Sequence, residues 1–497
     1  MKKKILMVAG LMVGVVQAAT YYVSPNGTNG DGLSWETAKV TIQSAVNAAT
    51  SHDTILVANG NYGFIMTTNK LITIRSVNGA TATFIDGTSS NRCATMIASS
   101  SAMTPQTNTV LIGFTLRNGS AQSTTAFGAS GGGAYGGILY DCLLTNNTTT
   151  GSGGAANRSI LYNCTVAGNK APGAQGECGG AMNSTLYTCT VSGNTAGWRG
   201  GGTMNSTLHN CVVSGNVAGD KGGGAYLDTL YSCLVISNTA TNQGGGTYDC
   251  ELLNCTVAGN RVTSTINQGG LAGGTYNNTN KGTVRNCIVW GNTVANVTNN
   301  TFGSTILYTC TTSPTVSGTG NISTNPMFRN PTTRDYRLQE DSQCIHAGWP
   351  GWVLLQPAMT RDLDGNARLY EGKVDIGAYQ FWFIRYTTTT PVPVPYLWLD
   401  EWKQNIADYE DFAFSQGANG YRLWESYVAG LIPTDVRSKF LITNFVLNAA
   451  SQVTALDWTP NRSDRTYKVL GKTNLTDKAW HSPTNHATKY FKVNVGM

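Results

Sequence analysis

Charged residues are scarce in this chain of 497 residues, where Asp, Glu, Lys and Arg together make up 12%. Only 14 of them lie between Val110 and Asn321, and few of those are Glu or Lys. A stack of helical hairpins needs strong helix formers and roughly 33 or more residues in each repeat. The composition of this stretch therefore disfavours a helical repeat protein and favours short strands.

Three other absences narrow the function. The formal net charge of +6 is too small to predict nucleic acid as a partner. The chain has no Cys-x-x-Cys pair and its five histidines are scattered, so neither a metal site nor a cofactor is predicted. Beyond residue 16 no apolar run approaches the length of a membrane span, about 18 residues, so no transmembrane segment is predicted in the mature chain.

The first 19 residues have the pattern of a secretory signal peptide. Three lysines at positions 2–4 precede an apolar run from Ile5 to Val16, and Ala18 or Ala19 is the last residue removed. Cleavage would lower the formal net charge from +6 to +3. The sequence therefore predicts an exported protein, extracellular or on a bacterial cell surface.

One sequence motif recurs from residue 131 to residue 315. Eight cysteines mark it, separated by 22, 25, 22, 22, 22, 32 and 23 residues. A Leu or Val stands three residues before each Cys, and an Asn stands five residues after seven of them. The eight cysteines are Cys142, Cys164, Cys189, Cys211, Cys233, Cys255, Cys287 and Cys310.

A repeat of 22 residues predicts an all-β solenoid, a right-handed parallel β-helix over residues 20–325. Each turn has room for about three short strands, and successive rungs stack about 4.8 Å apart. Every repeat position then becomes a column: Leu and Cys inside, Asn at a corner. The segment Thr41 to Ala48 predicts an amphipathic helix that caps the first rung.

The same spacing predicts that the cysteines of the column are free. Equivalent Cβ atoms on neighbouring rungs would lie about 4.8 Å apart, farther than the roughly 3.8 Å typical of a disulfide. We therefore expect a stack of buried thiols that act as small apolar fillers. Four cysteines fall outside the column, and the sequence leaves their pairing open: Cys93, Cys178, Cys250 and Cys344.

The Gly-Gly…Leu-x-x-Cys-x-Val-x-x-Asn motif resembles that of right-handed parallel β-helix proteins of the pectin-lyase-like group. In detail it is most similar to the repeats of polymorphic outer-membrane proteins, which are secreted bacterial surface proteins. Residues 326–386 resemble the closing segment of choice-of-anchor surface proteins, and this resemblance implies surface display. Within that segment Asp362, Asp364 and Asn366 are similar to the start of a calcium loop, but the Gly comes at the fourth position and no Glu stands at the twelfth. We therefore favour a structural turn in which Asp364 pairs with Arg368.

A stiff Thr- and Pro-rich linker at residues 387–395 separates the β-helix from the rest of the chain. Residues 396–497 show helical spacing of apolar residues first and strand-like runs later. The sequence predicts a small C-terminal domain in which helices precede a β-sandwich.

The pectin-lyase-like resemblance raises the question of polysaccharide cleavage. In residues 20–325, the predicted β-helix, the Asp pair, the Gly-His-Gly and the Arg-x-Lys of polygalacturonases are missing, as is the calcium cluster of pectate lyases. One corner remains, where Asp228, Asp249 and Glu251 are expected to meet on adjacent rungs. Such a trio could hold a cation or supply an acid and a base, whereas the alternative is a solvated charged patch.

A second column carries aromatic rings two residues before the cysteines. Flanked by an inward Leu, these rings are expected to face outward, either as a platform for sugar rings or as a stack that braces the rungs. The column consists of Tyr140, Tyr162, Tyr187, His209, Tyr231 and Tyr308, and is interrupted by Leu253 and Arg285.

The favoured function is binding, adhesion or structure, with an extracellular polysaccharide or surface glycan as partner. The alternative is a polysaccharide lyase or glycoside hydrolase.

Overall fold

A computed structural model describes residues 18–97, 109–122, 128–265, 272–277, 282–312, 318–354 and 360–381. Farther on it describes residues 389–390, 394, 399, 402, 406, 408–429, 431–437, 441–447, 453–459, 466–472 and 490–496. Most of the predicted signal peptide and of the predicted linker lies outside the described residues. The chain divides into two compact units, Met1–Phe381 and Trp382–Met497.

The first unit is the predicted right-handed parallel β-helix, built from four stacked sheets. Sheet 1 contains Thr20–Val23, Thr54–Val57, Thr73–Ser76, Val110–Ile112, Ile138–Tyr140, Ile160–Tyr162, Thr185–Tyr187, Thr207–His209, Thr229–Tyr231, Glu251–Leu253, Thr283–Arg285 and Thr305–Leu307. Sheet 2 contains Gly60–Tyr62, Thr83–Asp86, Thr115–Arg117, Leu143–Thr145, Thr165–Ala167, Thr190–Ser192, Val212–Ser214, Leu234–Ile236, Thr256–Ala258, Ile288–Trp290 and Cys310–Thr311.

The two other sheets have shorter strands. Sheet 3 contains Ser120–Ala121, Thr148–Thr149, Lys170–Ala171, Thr195–Ala196, Val217–Ala218, Thr239–Ala240, Arg261–Val262, Thr293–Val294 and Val297–Thr298. Sheet 4 contains Ile65–Thr68, Ala94–Ile97, Ala134–Gly136, Ala156–Asn157, Ala181–Met182, Thr203–Met204, Ala225–Tyr226, Thr247–Tyr248, Thr275–Tyr276 and Thr301–Phe302. A regular rung therefore has four strands and not about three, because two residues suffice for a strand between the Asn corner and the glycine corner.

The strand register explains the columns of the sequence. Leu161, for example, pairs with Leu139 before it and Leu186 after it, and all three are fully buried. The next corner turns through a residue in the left-handed region, such as Asn163 at φ 50° or Asn210 at φ 53°. Asn tolerates this conformation better than most residues. The chain then places the Cys of each rung inside the helix.

The cysteine column consists of buried free thiols, as predicted for seven of its members. The backbone N–H of Cys189 donates to Sγ of Cys211 at 3.4 Å, and the same contact recurs along the column. Cys310 is also a buried free thiol, as predicted, but its predicted place in the column is wrong. Cys310 pairs with Ile288, one residue past the column, and Thr309 takes the Cys position 22 residues after Cys287.

The cap and the closing segment cover the ends of this core. Helix α1, Ile42–Ala48, begins at the N-cap Thr41 and buries Ile42, Ala45 and Val46 against the first rungs, as predicted. After the last rung the chain forms the antiparallel strands Phe328–Asn330 and Asp335–Leu338, joined by the 3-10 turn Pro331–Thr333, and then helix α2, Gly351–Leu354. Phe328 and Leu338 pack on Leu234 and Ile288 of sheet 2.

The predicted pairing of Asp364 with Arg368 is wrong. Asp364 accepts from Nε of Arg337 at 2.6 Å, while Arg368 is fully buried and donates to the carbonyl oxygen of Asn254 at 3.0 Å. The spacing in the sequence suggested that Asp364 pairs with Arg368. A buried guanidinium needs hydrogen-bond acceptors, however, and a backbone carbonyl oxygen at a corner of the β-helix supplies one. Arg368 thereby attaches the closing segment to the β-helix.

The second unit contains helix α3, Tyr409–Phe414, and helix α4, Leu423–Ala429. Four strands follow as two antiparallel pairs, Leu441–Leu447 with Val453–Thr459 and Thr466–Lys472 with Tyr490–Gly496. Leu399, Ala413 and Leu423 form part of a small core. The order of helices before a β-sandwich-like set of strands agrees with the predicted fold class.

Candidate functional site

The predicted aromatic column forms a continuous stack on the outer face of sheet 1. The ring centroids of Tyr140, Tyr162, Tyr187, His209 and Tyr231 follow one another at 4.7, 4.7, 4.8 and 4.9 Å. The first three pairs are within 8° of parallel. Each inner ring therefore has both faces covered by its neighbours, and only ring edges and hydroxyls meet solvent.

His209 lies in the middle of this stack and is mostly buried. Burial lowers its pKa, and its Nδ1 has no hydrogen-bond partner in the described part of the chain. A neutral imidazole is therefore favoured, and it stacks between Tyr187 and Tyr231 in the same way as a phenol ring.

Tyr308 does not belong to the column. Its φ of 49° places it at the corner, and Leu307 pairs with Arg285 in the position that was expected for Tyr308. Tyr308 instead contacts Trp352 edge-on at 5.6 Å. The closing segment also covers the far end of the stack, where Tyr231 packs beside Leu253 and Trp352.

Asp228 points into the β-helix and is only 2% exposed. Its two carboxylate oxygens accept from Oγ1 of Thr203 and from the backbone N–H of Ser206, both at 2.6 Å. Burial raises the pKa of Asp228 to about 7 despite these bonds. Asp228 continues an inner column of small polar residues, since Ser206 makes the same backbone contact to Ser184.

The structure does not bring Asp249 and Glu251 to Asp228. Because side chains alternate along a strand, the neighbours of an inward residue point elsewhere. Glu251 lies on sheet 1, half-exposed, and pairs with Arg285 at 3.3 Å, while Asp249 occupies a left-handed corner at φ 50°. Within the described ranges, no group of three Asp, Glu, His or Cys side chains is placed to hold a metal ion.

A second aromatic stack, on sheet 4, is not among the predicted site residues. Tyr226, Tyr248, Tyr276 and Phe302 follow one another at 5.0, 5.1 and 5.1 Å. Cations lie over it: the guanidinium of Arg199 is 5.4 Å from the Tyr226 ring centroid, and Nζ of Lys221 is 5.1 Å from that of Tyr248. The tyrosines are nearly buried, so this stack also braces the rungs. The sequence pattern that could have predicted this stack is a Tyr seven residues before Cys233 and before Cys255.

A cleft of about 450 Å³ opens between sheet 2 and the closing hairpin. Trp290 lies on the sheet side, and Met327, Phe328 and Tyr336 lie on the hairpin side. The Phe328 and Tyr336 rings meet edge-on at 5.0 Å. Trp290 stands in a column of smaller side chains, and this exception in the repeat could have marked it as a site residue. Its partners on the hairpin lie outside the repeat, so the repeat could not predict their positions.

Among the residues that the structure describes, no helix is both long and apolar enough to cross a membrane.

Comparison with known proteins finds no matching family model and no matching curated sequence. Among solved structures, the chain is similar to the pectate lyase Pel9A, with 15% identity and a TM-score of 0.40 over 74% of this chain and 97% of that one. It is also similar to XylC, solved with xylose (10%, TM-score 0.38, 73% and 98%), and to a rhamnogalacturonan lyase (14%, TM-score 0.35, 63% and 91%). These TM-scores lie below 0.5, and the fold assignment rests on the strand register of this chain.

Proposed function

We propose that this protein is an exported β-helix that binds an extracellular glycan without cleaving it. The observation that carries the proposal is the cleft beside Trp290, because an aromatic ring next to amide and hydroxyl groups is a common surface for sugar rings. The two tyrosine stacks serve as braces, since their ring faces are covered by one another. The β-helix then acts as a rigid carrier for the cleft.

We extend the proposal to display on the bacterial surface. Removal of residues 1–19 would release the chain from the secretion machinery, and residues 326–386 would take the role of the closing segment of choice-of-anchor proteins. The similarity of the repeats to polymorphic outer-membrane proteins supports the same location. Labelling of intact cells with an antibody, compared with lysed cells, tests it; signal only after lysis would contradict display.

A glycan array probed with the purified mature protein tests binding. We expect retention on at least one glycan and no release of shortened products from it. Retention on none would contradict the glycan role, and product release would contradict a role without cleavage.

The second candidate is a polysaccharide lyase or glycoside hydrolase that uses the Asp228 corner. The raised pKa of Asp228 favours it, because carboxyl groups with shifted pKa values gather at catalytic sites. The burial of Asp228 and the bonds to both of its oxygens favour a structural role instead. If this candidate is right, replacing Asp228, Asp249 and Glu251 by Ala abolishes cleavage of polysaccharide; cleavage that survives the triple change would place catalysis elsewhere.

A further inference from the structure

The cleft beside Trp290 is uncharged. All ten residues that line it are apolar or neutral, and its polar side chains are Asn325, Tyr336 and Gln339 together with the indole N–H of Trp290. A ligand carboxylate placed there would gain no cation from the lining, because Arg334, whose charge acts on the Tyr336 hydroxyl, lies outside the lining and is exposed to the screening of solvent. The lining therefore favours neutral sugars over uronate sugars and other anions.

Two hydrogen-bond donors at the cleft have no partner within the described part of the chain. Neither the Tyr336 hydroxyl nor Nε1 of Trp290 bonds to any of the residues that the structure describes. The Tyr336 side chain is otherwise buried, so its hydroxyl is held in one place by the Phe328 ring. Fixed donors beside an aromatic surface match a ligand that carries acceptor oxygens around an apolar ring.

The cleft also has room for such a ligand. Its volume of about 450 Å³ falls within the range of about 300–1,000 Å³ that is typical of small-molecule sites. Gly259 and Gly291 lie on the sheet side at φ 63° and 65°, where the chain turns after each strand of sheet 2. With no side chain at either corner, the way to Tyr336 stays open: a Cβ at Gly259 would lie 3.7 Å from the Tyr336 hydroxyl.

We propose that this cleft binds a neutral oligosaccharide, with a sugar ring against Trp290 and its hydroxyls on Tyr336, Gln339 and Asn325. The inference rests on the proposed function and adds the class of glycan and the place where it binds. It also separates the binding site from both tyrosine stacks.

Gly259→Asn is the variant that blocks the cleft. Asn tolerates the left-handed conformation, and its side chain would enter the space in front of Tyr336. Gly215→Asn is the matched control, because Gly215 occupies the same corner two rungs earlier with the same φ of 63° and no atom within 4 Å of an added Cβ. Equal thermal unfolding temperatures for the two variants would show that both fold alike.

Binding is measured by titration calorimetry with cellotriose, xylotriose and mannotriose as neutral probes and trigalacturonate as the charged one. We expect one neutral probe to bind, Gly259→Asn to weaken it at least about tenfold, and Gly215→Asn to leave it unchanged. Tyr336→Phe, which removes only the hydroxyl, should weaken it about fivefold.

Three outcomes would overturn the inference: no binding of any neutral probe, neutral binding that Gly259→Asn leaves intact, or trigalacturonate binding as tightly as the best neutral probe. Each of these is distinct from failure of the proposed function. Retention of an acidic glycan on the array would keep the glycan role while removing the neutral class, and binding that survives Gly259→Asn would move the site elsewhere on the protein.

Discussion

The asparagine and tyrosine columns run along the same rungs, yet they differ in burial and in how many residue types they contain. Seven asparagines, from Asn147 to Asn292, occupy the inner corner without exception and are at most 1% exposed. The tyrosine column lies on the outer face of sheet 1, where it is partly covered, and also contains His209, Leu253 and Arg285. A buried ladder of hydrogen bonds fails wherever one member is missing, whereas a half-exposed stack accepts any side chain that packs.

Asn216 shows why the inner column admits no substitution. Its Oδ1 accepts from both the backbone N–H and Nδ2 of Asn194 at 2.9 Å, and its own Nδ2 donates to Asn238 at 2.9 Å and to the carbonyl oxygen of Val191 at 3.0 Å. Water cannot reach this corner, so each lost partner leaves a buried polar group unsatisfied.

The largest effect is expected from Asn216→Ala. It removes the acceptor of two buried donors on Asn194, and at about 1–3 kcal/mol for each unsatisfied group we expect a loss of about 4 kcal/mol in the free energy of unfolding. Denaturant unfolding followed by circular dichroism measures it. Asn242→Ala is the control, because Asn242 is exposed and donates one amide bond to Asp220. Equal losses for the two variants would contradict the distinction between inner and outer positions.

Asp228 is a buried titratable group on an inner column, so its effect on stability depends on pH. Its pKa is about 7 in the folded chain and near 4 when unfolded, so between these values the folded state holds a proton that the unfolded state has lost. Its contribution to stability is therefore full below pH 4 and decreases as the pH rises to 7, by at most about 1.4 kcal/mol per pH unit. The charge of Asp228 acts on the thiols of Cys178 and Cys250, and burial raises the pKa of both thiols, so they stay protonated in this range.

Asp228→Asn should remove this slope, because an amide accepts the bond from Ser206 and cannot titrate. The difference in unfolding free energy between the variant and the natural chain, measured at pH 5, 6 and 7, should grow in favour of the variant. A difference that stays constant with pH would mean that the folded pKa of Asp228 is not raised.

Tyr187→Ala tests the outer column. It removes two stacked contacts, to Tyr162 and His209, and we expect a loss of about 1–2 kcal/mol in the free energy of unfolding. Tyr187→Phe keeps the ring and should cost less than about 0.5 kcal/mol. If Tyr187→Ala leaves stability unchanged and abolishes retention on the glycan array, the stack is a binding surface and not a brace.

The smallest effect is expected from Cys211→Thr. Thr309 already occupies this column, and its hydroxyl contacts the carbonyl oxygens of Val284 and Leu307. A hydroxyl at residue 211 can replace the thiol in the same contacts, so the loss should stay below about 1 kcal/mol. A loss as large as that of Asn216→Ala would show that the column requires sulfur.

The repeat predicted most of the β-helix because the same local geometry recurs on every rung. A Leu three residues before a Cys, or an Asn five residues after it, has the same environment on every rung, and each copy supports the others. The same logic failed at Cys310, where a spacing of 23 residues looked like another copy. The register there follows Thr309, since a buried position accepts a small hydroxyl with local acceptors as readily as a thiol.

The carboxylates show a second limit of the sequence. Column positions placed Asp228, Asp249 and Glu251 on adjacent rungs correctly, but the direction of each side chain depends on corners that the repeat alone does not define. Asp249 is itself the left-handed corner residue, in the place that Leu227 holds one rung earlier, whereas Asp228 follows that corner and points inward.

The sequence by itself determined the parallel β-helix, its inner columns and its cap, because these depend on residue periodicity and on burial that repeats at every rung. Only the tertiary structure decided where the closing segment lies, which residues Arg368 and Asp364 contact, and that Trp290 faces Tyr336 across a cleft. Those contacts join segments that share no repeat and lie far apart in the chain. They depend on the surface left uncovered by the last rungs, a property of the assembled helix that no single segment of sequence carries.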